Sequence, residues 1–289
     1  MAKLTIRLLG AFHASLDAKP VTQFESNKVR ALLAYLAVET GQAHRREKLA
    51  ALLWPEMREK RARSNLSQAL YNLRHLIQDQ AAQPPYLNLT NTTVQFNVRS
   101  EHWCDAIEFP DTIQTTKQHK HPSLESCHEC IESLQSAADL YRGDFLQGLT
   151  LGNNLEFEEW RRITSERFFR QAIRALKRLT AYYENQGQKQ NAIRSSWRQV
   201  EFNPIDEAGH RQLMRLLAAD GQRNQAIAQF QRLKLLLSEE LGVAPEGETV
   251  VLYERLRQEA HSPAQDQEQR HNLPAPLTPF IGREVELRG

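Results

Sequence analysis

Two groups of side chains in this 289-residue chain have types and spacings that could do chemistry. The first is Cys127-His128-Glu129-Cys130, a C-x-x-C with His119 and His121 just ahead of it and His102 and Cys104 further upstream. Thiolates and imidazoles are the donors zinc prefers, and an i, i+3 spacing on a helix puts both sulfurs on one face. A four-ligand set would combine Cys127, Cys130 and His121 with either His119 or Cys104. There is no second C-x-x-C and no H-x3-H at the usual spacing. The plain alternative is therefore two helical cysteines packed on a core beside solvated histidines. A redox pair lacks the βαβ context it would need. Zinc is thus the one candidate cofactor. No G-x-S-x-G, H-E-x-x-H, G-x-G-x-x-G or EF-hand loop is present, so no residue set points to an enzyme.

The second group lies between residues 62 and 78. Leu66, Ala69, Leu70, Leu73 and Ile77 recur at helical spacing as one apolar stripe. At about 100° per residue, the opposite face carries Arg61, Ser64, Gln68, Tyr71 and His75, flanked by Asn65, Asn72 and Arg74. A solvated helix face is usually decorated with Glu–Lys pairs. This one offers amides, hydroxyls, an imidazole and an aromatic ring, with no acid before Asp79. Such groups donate to and accept from base edges and phosphates. An ordinary polar surface helix is the competing reading.

That helix needs a scaffold to present it. Leu4, Ile6 and Leu8 alternate over a strand that spans about Leu4 to Phe12, and a second short strand leads to a turn near Asp17-Ala18-Lys19-Pro20. Val29, Leu32, Leu33 and Leu36 then mark a helix, with Ser26 placed to cap it and Gly41 just past its end. A second helix from about Arg45 to Trp54 turns Leu49, Leu52 and Leu53 inward and stops at Pro55. The third helix runs from about Ala62 to Gln78. After it, Leu87-Asn88-Leu89 and Val94-Gln95-Phe96-Asn97-Val98 alternate around Thr90-Asn91-Thr92-Thr93, which suits a hairpin turn. Strands, three helices and a terminal hairpin are the parts of a winged helix-turn-helix, whose last helix enters the major groove. Base reading would fall to Ser64, Asn65, Gln68, Tyr71, Asn72 and His75. Phosphate contacts would fall to Lys28, Arg45, Arg46, Lys60, Arg61 and Arg63. The wing, Asn91, Thr92 and Thr93, would touch the backbone or minor groove.

Several stretches carry a specific resemblance. Leu8-Leu9-Gly10, Lys28-Val29-Arg30-Ala31-Leu32-Leu33-Ala34-Tyr35-Leu36, Arg46-Glu47-Lys48-Leu49-Ala50-Ala51-Leu52-Leu53-Trp54-Pro55 and Ala62-Arg63-Ser64-Asn65-Leu66-Ser67-Gln68-Ala69-Leu70-Tyr71-Asn72-Leu73-Arg74 resemble the DNA-binding domain of SARP-type bacterial activators. Those domains are similar to the OmpR-type winged helix. The resemblance covers nearly all of 1–98. His44 departs from it, standing where that family often has a Ser or Thr helix cap. The resemblance implies double-stranded DNA as a partner, two copies on tandem sites, and contact of the loop Glu56–Arg61 with RNA polymerase.

From about 100 to 260 the chain reads almost wholly helical, with one candidate over Leu124–Tyr141, ended by Gly143, and a long one over roughly Leu155–Asn185. Gly187-Gln188-Lys189-Gln190-Asn191-Ala192-Ile193 matches Gly221-Gln222-Arg223-Asn224-Gln225-Ala226-Ile227 at a spacing of 34 residues, the tetratricopeptide period. Pro204 falls where the second helix of such a repeat ends. Ser196 and Gln199 fit their repeat positions poorly, so the first unit is degenerate. Stacked helix pairs form a shallow solenoid that commonly binds a protein partner. Leu140-Tyr141-Arg142-Gly143-Asp144-Phe145-Leu146, Phe157-Glu158-Glu159-Trp160, His210-Arg211-Gln212-Leu213-Met214-Arg215-Leu216-Leu217 and Glu239-Glu240-Leu241-Gly242-Val243-Ala244-Pro245 resemble the bacterial transcriptional activator domain that follows the winged helix in SARP-type proteins.

The polar stretch from His261 reads as a linker. The segment from Asn272 to Glu284 resembles the lead-in to the nucleotide-binding domain of STAND-type signalling ATPases. No phosphate-cradling G-x-x-x-x-G-K-[ST] loop occurs, so no ATP site is expected within the chain. Composition agrees with this layout. The net charge of +2 hides a division: residues 1–97 hold 13 Lys+Arg against 7 Asp+Glu, and the rest hold 24 against 28. A basic first third on an acidic body is the electrostatic footprint of nucleic-acid binding. No run of 18 apolar residues predicts a membrane span. Three cysteines are too few for a secreted disulfide frame, which points to the cytoplasm and the nucleoid.

The expectation is a mainly α chain. A winged helix-turn-helix (α+β) spans 1–98, an all-α tetratricopeptide-like repeat domain spans 99–260, and 261–289 lead into a further domain. The expected function is a sequence-specific, DNA-binding transcriptional regulator that contacts RNA polymerase. The rival is a protein-interaction scaffold of the same fold without DNA binding.

Overall fold

The alternating Leu4 and Ile6 build the first sheet. The computed structural model describes residues 3–119 and 127–261. His121, the expected helix start at Leu124 and the expected linker and lead-in beyond 261 lie outside the described residues. β1 (Leu4–Arg7) pairs antiparallel with β3 (His13–Leu16), Leu4 opposite Leu16 and Ile6 opposite Ala14. β4 (Lys19–Pro20) extends that edge, and β8 (His102–Cys104) joins the other edge parallel to β1. The expected strand over 4–12 is broken. The Leu8 and Leu9 amides donate to the Asp105 carboxylate at 2.7 and 3.1 Å. β2 (Gly10–Ala11) leaves for a separate pairing with β9 (Phe145–Gln147). Gly10 takes φ +122 and Gly143 φ +158, and a Cβ on Gly143 would stand 2.8 Å from Gln147 Oε1, so both positions favour a residue without a side chain.

α1 (Asn27–Val38), α2 (Arg46–Leu53) and α3 (Glu59–Leu76) pack their leucines inward as the spacing predicts. Ser26 occupies the cap of α1, but its side chain makes no capping hydrogen bond. His44 is not a cap. It sits in β5 (His44–Arg45), opposite Val94, buried edge-on to the Tyr35 ring, with Nε2 2.8 Å from the Glu39 carbonyl. β5 thereby joins the hairpin of β6 (Leu87–Leu89) and β7 (Thr93–Phe96) as a third strand.

Helices dominate the remainder: α4 (Asp105–Gln118), α5 (His128–Leu140), α6 (Leu155–Asn185), α7 (Lys189–Phe202), α8 (Glu207–Ala219), α9 (Arg223–Glu240) and α10 (Gly247–His261). The two matched glycines close the α6–α7 and α8–α9 turns in left-handed conformation, φ +68 at Gly187 and +80 at Gly221. Each turn carries the same pair of bonds: Gln188 N–H to Tyr183 O with Gly187 N–H to Glu184 O, and Gln222 N–H to Leu217 O with Gly221 N–H to Ala218 O. This 6→1 plus 5→2 pattern satisfies the last carbonyls of the first helix. Pro204 follows the end of α7, as its position predicts. Gln199 and Ser196 are buried, and Gln199 Nε2 donates to Thr180 Oγ1 at 2.7 Å, so the degenerate unit carries a polar contact where an apolar one would be usual. Among the described residues, no helix is long and apolar enough to cross a membrane.

The expected boundary at 98/99 is not a gap in packing. One apolar cluster runs from Leu4 through Trp54, Phe96, Phe109 and Phe145 to Ala172. Asn154 caps α6 through Phe157 N–H and also donates to the Leu52 carbonyl at 2.6 Å, tying the long helix to the end of α2. Trp160 Nε1 donates to Glu39 at 2.9 Å, its ring 4.9 Å from Tyr35. α1 and α2 are thus held by the helical domain.

One buried histidine is expected to make the repeat unit acid-sensitive. His210 Nε2 lies 2.9 Å from the Pro204 carbonyl and Nδ1 2.7 Å from Gln229 Nε2, a pattern that a neutral ring with its proton on Nε2 satisfies. Burial lowers its pKa below the ordinary 6.5, ahead of the opposing pull of the Pro204 carbonyl and Asp206. A lowered folded-state pKa stabilises the fold fully above the unfolded value, and this stability is lost as pH falls from about 6.5 through the folded value. A buried donor facing a donor costs about 1–3 kcal/mol. Melting temperature is therefore expected to fall between pH 7 and pH 5 by several degrees more in the wild type than in His210→Asn. Equal pH slopes in the two proteins would refute this assignment.

Candidate nucleic-acid interface

α3 is positioned by its apolar stripe. Leu66, Ala69, Leu70 and Leu73 are buried, and α2 and α1 pack across that face. The opposite face stands in solvent: Arg61, Ser64, Gln68, Tyr71 and His75 are exposed, Tyr71 to 69%. Asn65 and Asn72 are half-buried on the flank, and Asn72 Oδ1 is buried without a hydrogen-bond partner.

The helix starts earlier than its hydrophobic period predicts, at Glu59 and not Ala62. Glu59 in the first turn suits the positive end of the helix dipole. Lys60 and Arg61 therefore lie on the helix, and only the first part of the expected loop Glu56–Arg61 is a loop. At the other end, helix geometry stops at Leu76 and Gln78 turns the chain with φ +52. Asp79, fully buried, accepts from Arg74 Nε at 2.8 Å and from Leu87 N–H at 2.9 Å. That pair fixes the end of α3 to β6 and commits Arg74 to the fold.

The expected phosphate-binding cations divide into two sets. Arg45, Lys60 and Arg61 are exposed and form no ion pair among the described residues. Lys28 pairs with Glu56 at 2.7 Å and lies over the Trp54 ring. The Lys28 ammonium, through its hydrogen bond, holds the Glu56 carboxyl below its ordinary value. Arg63 is held by Glu47 at 2.6 Å and Glu59 at 3.4 Å. Arg46 Nε donates to the Thr90 carbonyl at 3.1 Å and its amide to Thr92 O at 2.9 Å, so it braces the wing against α2. Arg58, at the cap of α3, and Lys48, on α2, are further exposed cations. No signal in their spacing separates them from ordinary surface charge.

The wing is short. Thr90 Oγ1 accepts the Thr92 and Thr93 amides, and Thr90 N–H donates to Thr93 O, which leaves Asn91 and Thr92 exposed at the tip. Hydroxyls and an amide at a tip fixed by its own turn can meet a phosphate backbone without reordering.

The sulfur and imidazole ligands also divide. Cys127, Cys130 and His119 come together, all ligand atoms within 4.8 Å of one another. Cys104 is elsewhere, buried in β8, where burial followed by the neighbouring Asp105 charge pushes its thiol up to about 12. It is not part of the cluster.

Residues 104–257 match the profile of the bacterial transcriptional activator domain. No curated protein matches in sequence. A solved structure, Mycobacterium tuberculosis EmbR in complex with a low-affinity phosphopeptide, is similar in fold, with a TM-score of 0.61 at 19% identity. The match covers 90% of this chain and 66% of that one. The likeness supports a winged-helix part joined to a helical domain.

Proposed function

The chain belongs to the bacterial transcriptional activator domain family, and from that premise we propose that it regulates transcription by reading duplex DNA with α3. The family membership makes it a transcriptional regulator; the DNA contact and its residues are our reading. The observation that carries it is the solvent-facing surface of α3, where Ser64, Gln68, Tyr71 and His75 stand exposed with no carboxylate among them. Lys60 and Arg61 at the head of that helix and Arg45 in β5 supply phosphate contacts. The tip of the wing, Asn91 and Thr92, lies on the backbone or minor groove. The turn from Glu56 to Arg58 offers RNA polymerase a contact beside the DNA, and the helical repeats of α6 to α10 offer a protein partner a surface. Selection of bound duplexes from a random pool with the whole chain tests sequence specificity. A single enriched motif is expected, and a pool that stays random after repeated rounds refutes it.

The interaction-scaffold reading has one observation in its favour: Lys28 and Arg63 are already neutralised by Glu56, Glu47 and Glu59. If Arg63 is released to a phosphate on binding, Glu47→Gln should strengthen binding to all duplexes, with the salt slope steeper by up to about one ion. Unchanged affinity and slope in Glu47→Gln would leave Arg63 as an internal brace of the α2–α3 pair.

A further inference from the structure

We propose that His119, Cys127 and Cys130 form a site for one thiophilic divalent cation of the zinc class, with the fourth tetrahedral position left to an additional donor such as water. His119 ends α4 and Cys127 caps α5, with Cys130 one turn inside α5. The His119 Nδ1 lies 3.3 Å from each sulfur. A tetrahedral ion at about 2.3 Å from sulfur and about 2.0 Å from nitrogen holds such ligands about 3.5 Å apart, so little movement separates this arrangement from a loaded one. The other imidazole nitrogen, Nε2, faces a Glu129 carboxylate oxygen at 3.7 Å. A carboxylate behind a ligating histidine is the usual outer partner that fixes ring orientation and raises ligand basicity. Cys130 is buried, Cys127 half-buried and His119 exposed, so an ion can enter from solvent and still rest against the protein.

The sulfurs sit at the N-terminus of α5. A disulfide between Cys127 and Cys130 would give the imidazole no role, whereas Nδ1 stands equally close to both sulfurs. The ion would join the end of α4 to the start of α5. α5 in turn packs Ile131, Leu134 and Ala138 against Ala175, Leu176 and Leu179 of α6. Arg198 of α7 grips the end of α5 through the Ala138 and Tyr141 carbonyls. Metal occupancy would therefore stabilise the hairpin on which the first repeat rests.

The test is a cobalt titration of the reduced whole chain, read by thiolate-to-metal charge transfer and by the d–d bands of a tetrahedral ion, followed by zinc competition. One equivalent is expected, displaced by zinc. Cys127→Ser and His119→Ala, both at accessible positions, should weaken binding more than about 100-fold while circular dichroism stays unchanged. Cys104→Ser should bind as the wild type does. Absence of stoichiometric uptake, charge-transfer intensity that survives Cys127→Ser, or undiminished affinity in His119→Ala would each overturn the site.

Discussion

Replacing Asp105 with Ala is expected to cost the folded chain about 2–6 kcal/mol, about 1–3 kcal/mol for each of two buried amides left without an acceptor. Asp105 opens α4 and is fully buried. Its two oxygens take the Leu8 and Leu9 amides, and one also takes Arg142 Nη2 at 2.7 Å. These bonds gather the end of β1, the start of the helical domain and the segment before β9 around one carboxylate. Burial raises its pKa against the pull of the two amides and Arg142. A raised carboxyl pKa favours the fold at low pH, and the contribution declines as pH rises from the ordinary carboxylate value through the folded one. Mild acid should therefore leave this junction intact. Truncation leaves two buried N–H groups and a guanidinium without their acceptor. Asp105→Asn keeps one acceptor and should lose less than Asp105→Ala. Urea unfolding checks both; a loss under about 1 kcal/mol in Asp105→Ala would show that the junction is held by apolar packing alone.

The second large effect concerns the α3 surface, and two variants should fail in different ways. Arg61→Ala removes an exposed cation from the head of the helix. It should weaken binding to every duplex and flatten the salt dependence by about one ion. Gln68→Ala removes an exposed amide from mid-helix, where bidentate pairing with an adenine edge is open to it. It should reduce discrimination at one base pair by about 5- to 150-fold, corresponding to about 1–3 kcal/mol, with the salt slope unchanged. Competition binding against the selected motif and its single-base variants separates the two. If Gln68→Ala leaves every base preference intact, Gln68 does not read bases. Asn72 should matter less to base reading than Gln68, because it lies half-buried on the flank.

Long, strongly periodic stretches were legible. The apolar stripe of α3, the 31-residue α6 and the paired glycines of the repeat all follow from side-chain spacing and the need of a helix end for a left-handed residue. Short pieces held by tertiary contact were not. β8 and β9 have three residues each and exist because β1 and β2 accept them as neighbours, not because of alternation. The break after Arg7 depends on Asp105, about a hundred residues away, whose carboxylate takes amides a strand would otherwise pair. On α3, residue types marked the polar, solvent-facing side, but spacing could not reveal that Arg63 is held by Glu47 or Lys28 by Glu56. In the sulfur and imidazole cluster, the C-x-x-C was visible, while the nearness of His119 and not of Cys104 needed the chain's path through α4 and α5.

The central claim is that α3 and its neighbouring cations meet a phosphate backbone. The most direct measurement is the affinity of the whole chain for a duplex of arbitrary sequence across a range of salt concentration. With Arg45, Lys60 and Arg61 engaged, the logarithm of affinity should fall against the logarithm of salt with a slope of about −3 or steeper. No binding at low salt, or binding that does not change with salt, would contradict the account and leave a protein-interaction scaffold in its place.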